Sequence, residues 1–119
     1  MSLGLLTRIA FQACSFNHSL KPLSSSIRVA FVYGSVAKAT DQAASDIDLM
    51  IISDSLTYGD VFGALERVAR TVGRKVNPTL YTAAEFSKRA RTENAFVTRA
   101  LEQPKLWVIG SKHDLPIAA

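Results

Sequence analysis

The chain has 119 residues, 48% hydrophobic and 20% charged, with a formal net charge of +4. That is one domain, able to hide roughly two-thirds of its unfolded surface on folding without disulfide or metal staples. A single cysteine, Cys14, excludes an internal disulfide and fits a reducing compartment, so a cytoplasmic protein is expected.

Residues 3–15 carry Leu5, Leu6, Ile9, Ala10 and Ala13 near helical spacing, in a stretch too short and interrupted to span a bilayer. Pro22 and the Ser24-Ser25-Ser26 run break that pattern. Residues 1–26 therefore read as a leading helix and linker, 27–112 as the folded domain and 113–119 as a tail. A near-continuous apolar run predicts a buried strand over 27–33, ended by Gly34. A short helical turn is expected at 35–39, a polar loop at 40–45, and a second strand at 46–52. Val61, Phe62, Leu65, Val68, Ala69 and Val72 share one face of a helix over about 58–72, with Gly73 as its stop. Residues 75–81 predict a third strand that Pro78 makes an edge, bulged, or short on one side. Thr82-x-x-Glu85 is a capping-box pattern opening a helix to about 91. A further helix is expected at 93–102 and a last strand at 105–109, stopped by Gly110.

Two aspartates, Asp46 and Asp48, open the second strand one residue apart. Side chains alternate along a strand, so both point the same way. Two such carboxylates repel unless a cation or proton sits between them. Oxygen-only ligands suit a hard divalent ion such as Mg²⁺ or Mn²⁺. The Gly34-Ser35 turn can aim backbone N–H groups at phosphate oxygens. Together these residues read as a metal–nucleotide site. The plainer alternatives are a strand-start cap at Asp46 with Asp48 solvated, a strand-ending turn at Gly34-Ser35, and a surface lysine at Lys38.

The other candidates are weaker. Lys88, Arg89 and Arg91 cluster without interleaved aromatics and read as a solvated helix face. No helix-turn-helix is visible, so direct DNA binding is not expected. His18 and His113 have no partner at metal-ligand spacing. Trp107 is core-like, and packing is the default for Tyr33 and Tyr81.

Gly34-Ser35-x-Ala37-Lys38, followed after a loop by Ser45-Asp46-Ile47-Asp48-Leu49, resembles the signature of the DNA polymerase β-like nucleotidyltransferase superfamily. It is closest to the minimal nucleotidyltransferase domains of bacteria and archaea. Two positions depart from the pattern: Lys38 stands where Arg is usual and Ala39 where Gly is usual. The resemblance implies an α/β (α+β) fold, a small mixed sheet of about four strands with helices packed mainly on one face. It implies transfer of an NMP from an NTP, with ATP the expected nucleotide, to an acceptor hydroxyl. Asp46 and Asp48 would be the metal ligands. Gly34, Ser35, Lys38 and Ser45 would meet the nucleotide. The family places a third carboxylate on the next core strand, where this chain reads Lys75-Val76-Asn77-Pro78-Thr79-Leu80-Tyr81. Asn77 is the expected occupant, with Thr79 the alternative. A neutral amide ligates a metal weakly and cannot act as a base, and losing a general base costs ~10²–10⁴-fold in rate. Glu85 is the nearest downstream acid, but the capping box explains it better. Two readings follow: a slow enzyme using water, substrate or Glu85 as proton acceptor, or an inactive nucleotide-binding regulatory module. The resemblance also implies a separate helical partner of HEPN type, as in toxin–antitoxin pairs, or a homo-oligomer. The remaining rival is an interaction domain without a ligand.

Overall fold

The computed structural model describes residues 16–33, 47–73, 75–92, 95–103 and 105–116. The expected helix at 3–15, turn at 35–39 and loop at 40–45 fall outside these, in whole or in the main.

Helical residues 16–20 (α1) lead into a 3₁₀ turn, Lys21–Ser26. Then follow β1 (Val29–Tyr33), β2 (Ile47–Ile52), α2 (Tyr58–Val72), β3 (Val76–Tyr81), α3 (Ala83–Arg91), α4 (Ala95–Glu102), β4 (Lys105–Ile109) and a final 3₁₀ turn, Lys112–Asp114. The strands form one four-stranded sheet in the order β3-β2-β1-β4. β1 runs antiparallel to β2 and β4, and β2 runs parallel to β3. Two parallel strands need a long crossover, and α2 supplies it. The mixed α/β class expected from the sequence is the one observed.

Helix placement differs from the expectation of one covered face. Ala30, Val32, Ile47, Leu49 and Ile51 pack with Phe16 and Leu20 of α1 and with Val61, Leu65 and Val68 of α2. The alternate residues Val29, Phe31, Tyr33, Met50 and Ile52 pack with Phe86 of α3 and with Val97 and Ala100 of α4. Successive strand residues face opposite sides, so helices cover both faces. All five residues of β1 are buried, as a strand sandwiched between two helical layers requires.

Local chemistry fixes the element ends. The Thr82 hydroxyl accepts from the Glu85 backbone N–H at 3.1 Å, and the Glu85 carboxylate accepts from the Thr82 N–H at 2.9 Å, closing the expected capping box. Thr57 and Asp60 form a second box at the start of α2, and α2 ends on left-handed Gly73 at φ 70°. Pro78 takes the edge reading. The Lys75 and Tyr81 carbonyls accept from Ile47 and Ser53 on the β2 side. By alternation the Pro78 nitrogen faces outward, where no ladder donor is needed and a neighbouring strand is discouraged. Gly110, at φ 76°, stops β4 where a Cβ would lie 2.9 Å from the Arg28 carbonyl oxygen. Among the described residues no helix is long and apolar enough to cross a membrane.

Candidate active site

Asp48 is the second residue of β2, at the end of the sheet where β1 finishes and β2, β3 and β4 begin. In register it faces Tyr33 on β1 and Asn77 on β3. Tyr33 in turn faces Lys105 on β4. Asp48 shares its parity with Met50 and Ile52, so it points to the face covered by α3 and α4. Asn77 and Thr79 share the parity of Tyr81 on that face. The sheet thus sets a half-buried carboxylate beside a half-buried amide, with the buried Tyr33 on the other flank.

A pocket of about 240 Å³ opens here, lined by Tyr33, Asp48, Phe96, Arg99, Ala100 and Gln103. Phe96, 43% exposed, meets the Tyr33 ring edge-on at 6.2 Å. Thr79 on β3 lies on the same face, across β2 from Tyr33. The Tyr33 phenol is held above the ordinary tyrosine pKa chiefly by burial; the Thr79 hydroxyl works in the opposite direction, and the Asp48 and Tyr81 charges add to the rise. The Asp48 charge is therefore felt within this pocket.

Lys105 positions α4 over the site. Its ammonium donates to the Leu101 and Gln103 carbonyl oxygens, the latter at 3.0 Å, and so closes the C-terminal end of the helix. Burial, with help from the Lys112 charge, lowers its pKa.

Glu85 is not at this end. Parallel pairing puts Asn77 beside Asp48 and Tyr81 beside Ile52, a separation of about 13 Å along the strands. Glu85 follows Tyr81 and is held by the Thr82 cap. Asp54 is at the same far end, accepting from the Ala83 N–H at 2.9 Å.

Of the residues singled out from the sequence, the structure brings Asp48 and Asn77 together. Gly34, Ser35, Lys38, Ser45 and Asp46 lie outside the described residues. The described donors, a carboxylate and an amide, are hard oxygen ligands and fit a divalent cation of the Mg²⁺ type. Among the described residues no group of three or more His, Cys, Asp or Glu side chains converges on a metal position. Phe96, Arg99 and Gln103 were not legible as site residues. Their spacing puts them on one helical face, but nothing local says that face overlooks Asp48.

Residues 18–98 match the family model described as Polymerase beta, Nucleotidyltransferase. This chain belongs to that family. The match spans β1 to the middle of α4, so Tyr33, Asp48, Asn77 and Phe96 lie inside it, and Arg99, Gln103 and β4 lie beyond its end. A solved structure titled "Crystal structure of the toxin-antitoxin with AMP-PNP" has a similar fold, with a TM-score of 0.58 at 13% identity, covering 86% of this chain and 76% of that one. At that identity the likeness is one of fold. A search of the curated proteins gives no match. Within the nucleotidyltransferase fold, the Asp48 end of the sheet is where this chain gathers carboxylate, amide and pocket.

Proposed function

We propose that this domain binds an NTP, with ATP the expected nucleotide, together with a divalent cation, and transfers an NMP to an acceptor hydroxyl at a reduced rate. The supporting observation is the pairing of Asp48 with Asn77 across parallel strands, at the rim of a pocket large enough for part of a nucleotide. Asp48, with Asp46, would hold the cation, and Gly34, Ser35, Lys38 and Ser45 would meet the triphosphate. When bound, the cation neutralises phosphate charge. In the transfer the acceptor oxygen bonds to the α-phosphorus, the α–β anhydride bond breaks and pyrophosphate leaves. The hydroxyl proton must go elsewhere than Asn77, whose amide is no base, and Glu85 is out of reach. Solvent or a substrate phosphate oxygen takes it. The same reading puts the domain in the cytoplasm, where NTP and Mg²⁺ are plentiful.

A second reading, binding without turnover, draws on the same amide at position 77 and on the commitment of Glu85 to its cap. The toxin–antitoxin neighbour favours a protein partner in either case, and a helical chain of HEPN type is the one we propose.

Thermal denaturation tests the shared claim: ATP with Mg²⁺ raises the melting temperature, and by more than either alone. No rise with any NTP and either Mg²⁺ or Mn²⁺ would sink both readings. Transfer of label from α-³²P-NTP to the partner or to RNA separates them. Asn77→Asp restores a carboxylate beside Asp48 and is expected to raise transfer by at least about tenfold. A folded Asn77→Asp protein with no gain would remove position 77 from the account of slow turnover.

A further inference from the structure

Arg99 stands on α4, solvent-exposed, and lines the same pocket as Asp48. The two carry opposite charges, yet no ion pair of Arg99 is found among the described residues. The carboxylates of Asp54, Asp60, Glu85 and Asp114 are taken up by backbone N–H groups of the turns and helix starts. The wall that bears Arg99 is also fixed in place. Ala100 is buried against the sheet, and Lys105 ties the following carbonyls to β4. A planar guanidinium on a fixed helix, sharing a cavity with a carboxylate, suits a ligand that is negative towards the arginine and metal-bearing towards the acid.

We infer that Arg99 grips the triphosphate of the nucleotide from the α4 side of the pocket it shares with Asp48. This rests on the nucleotide-binding reading above and assigns a residue to it that lies beyond the glycine–serine and aspartate motif. Arg99 is a binding residue here, not a base: its guanidinium donates to phosphate oxygens and takes no proton. A lysine in its place would keep the charge and lose the two-pronged donor geometry.

The test is a titration of the full chain with ATP and with inorganic tripolyphosphate, each with Mg²⁺. Wild type is compared with Arg99→Ala, Arg99→Lys and, as a control for net charge, Arg91→Ala on the exposed end of α3. Arg99→Ala is expected to weaken both ligands by about 10- to 100-fold, the loss of a charge-assisted hydrogen-bonded contact. Arg99→Lys should fall between it and wild type, and Arg91→Ala should match wild type. Mn²⁺ binding without nucleotide, followed by electron paramagnetic resonance, should be the same in Arg99→Ala as in wild type. If wild type binds ATP and Arg99→Ala binds it equally well, the inference fails and the nucleotide reading stands. An equal loss in Arg91→Ala also overturns it, since that marks a general field effect. If wild type binds neither ATP nor tripolyphosphate, both fall together.

Discussion

The two ends of this sheet use their polar residues in opposite ways. At the end where β2 and β3 finish, Ser53, Asp54, Thr82 and Glu85 are spent on the backbone. The Ser53 hydroxyl donates to the Ser26 carbonyl and accepts from the Ser55 and Leu56 N–H groups, while Asp54 and the Thr82–Glu85 pair hold the start of α3. At the end where these strands begin, Asp48 and Tyr33 line a pocket with Arg99 and Gln103. An acid that caps a helix stabilises the fold, whereas an acid beside a cavity raises the pKa of its tyrosine neighbour. Closeness in sequence misleads here: Glu85 is the nearest downstream acid to Asn77, yet the fold sends it to the opposite end.

The widest separation between the ends should come from removing the acids at the pocket. Asp46→Ala combined with Asp48→Ala is expected to weaken Mg²⁺-dependent NTP binding by at least about 100-fold, since even outer partners of metal ligands are worth ~10- to 100-fold. Isothermal titration measures it, with circular dichroism confirming the fold. Isotherms that match wild type would remove the functional end from the comparison.

Much of the fold follows from chemistry local to a few residues. Gly73 stops α2 because only a left-handed residue fits there, Thr82 and Glu85 cap α3, and Pro78 marks an edge because it has no N–H to give. The cover on both faces was legible in principle, since an all-apolar run such as that of β1 needs a layer on each side. Amphipathic helices alone do not say which face each will take. Strand parity set the direction of Asp48, but its pairing with Asn77 rests on a parallel register that no local pattern encodes. The pocket wall was hidden for the same reason. Phe96, Arg99 and Gln103 reach Asp48 only once β4 pairs with β1 and brings α4 back over the sheet.

Breaking the opposite end should cost stability and leave binding alone. Ser53 is 3% exposed, and its hydroxyl serves three backbone groups. Ser53→Ala strands those groups and is expected to destabilise the domain by about 1–3 kcal/mol, lowering the melting temperature by several degrees. The nucleotide affinity of the folded fraction should not change. Loss of affinity at a temperature where Ser53→Ala is folded would show that the two ends are coupled through β2.

The smallest effect sharpens the comparison through pH, and its sign differs between two residues of the pocket end. Tyr33 is neutral at physiological pH, and its folded pKa is raised above the ordinary 10.0. Its contribution to stability is full below pH 10 and is lost as pH climbs from there through the folded value. Lys105 has a folded pKa lowered from 10.5, so the unfolded chain holds that proton longer and stability rises with pH up to about 10.5. The two trends oppose each other near pH 10, so the wild-type slope is their difference. Tyr33→Phe should flatten the alkaline loss, and Lys105→Met should expose it. Urea midpoints between pH 8 and 11 measure both. Because the Asp48 charge adds to the Tyr33 shift, Asp48→Asn should also reduce the alkaline loss, though by less than Tyr33→Phe. An Asp48→Asn protein with the full wild-type slope would mean that the carboxylate and the phenol do not sense each other, and the pocket would lose its electrostatic link between β1 and β2.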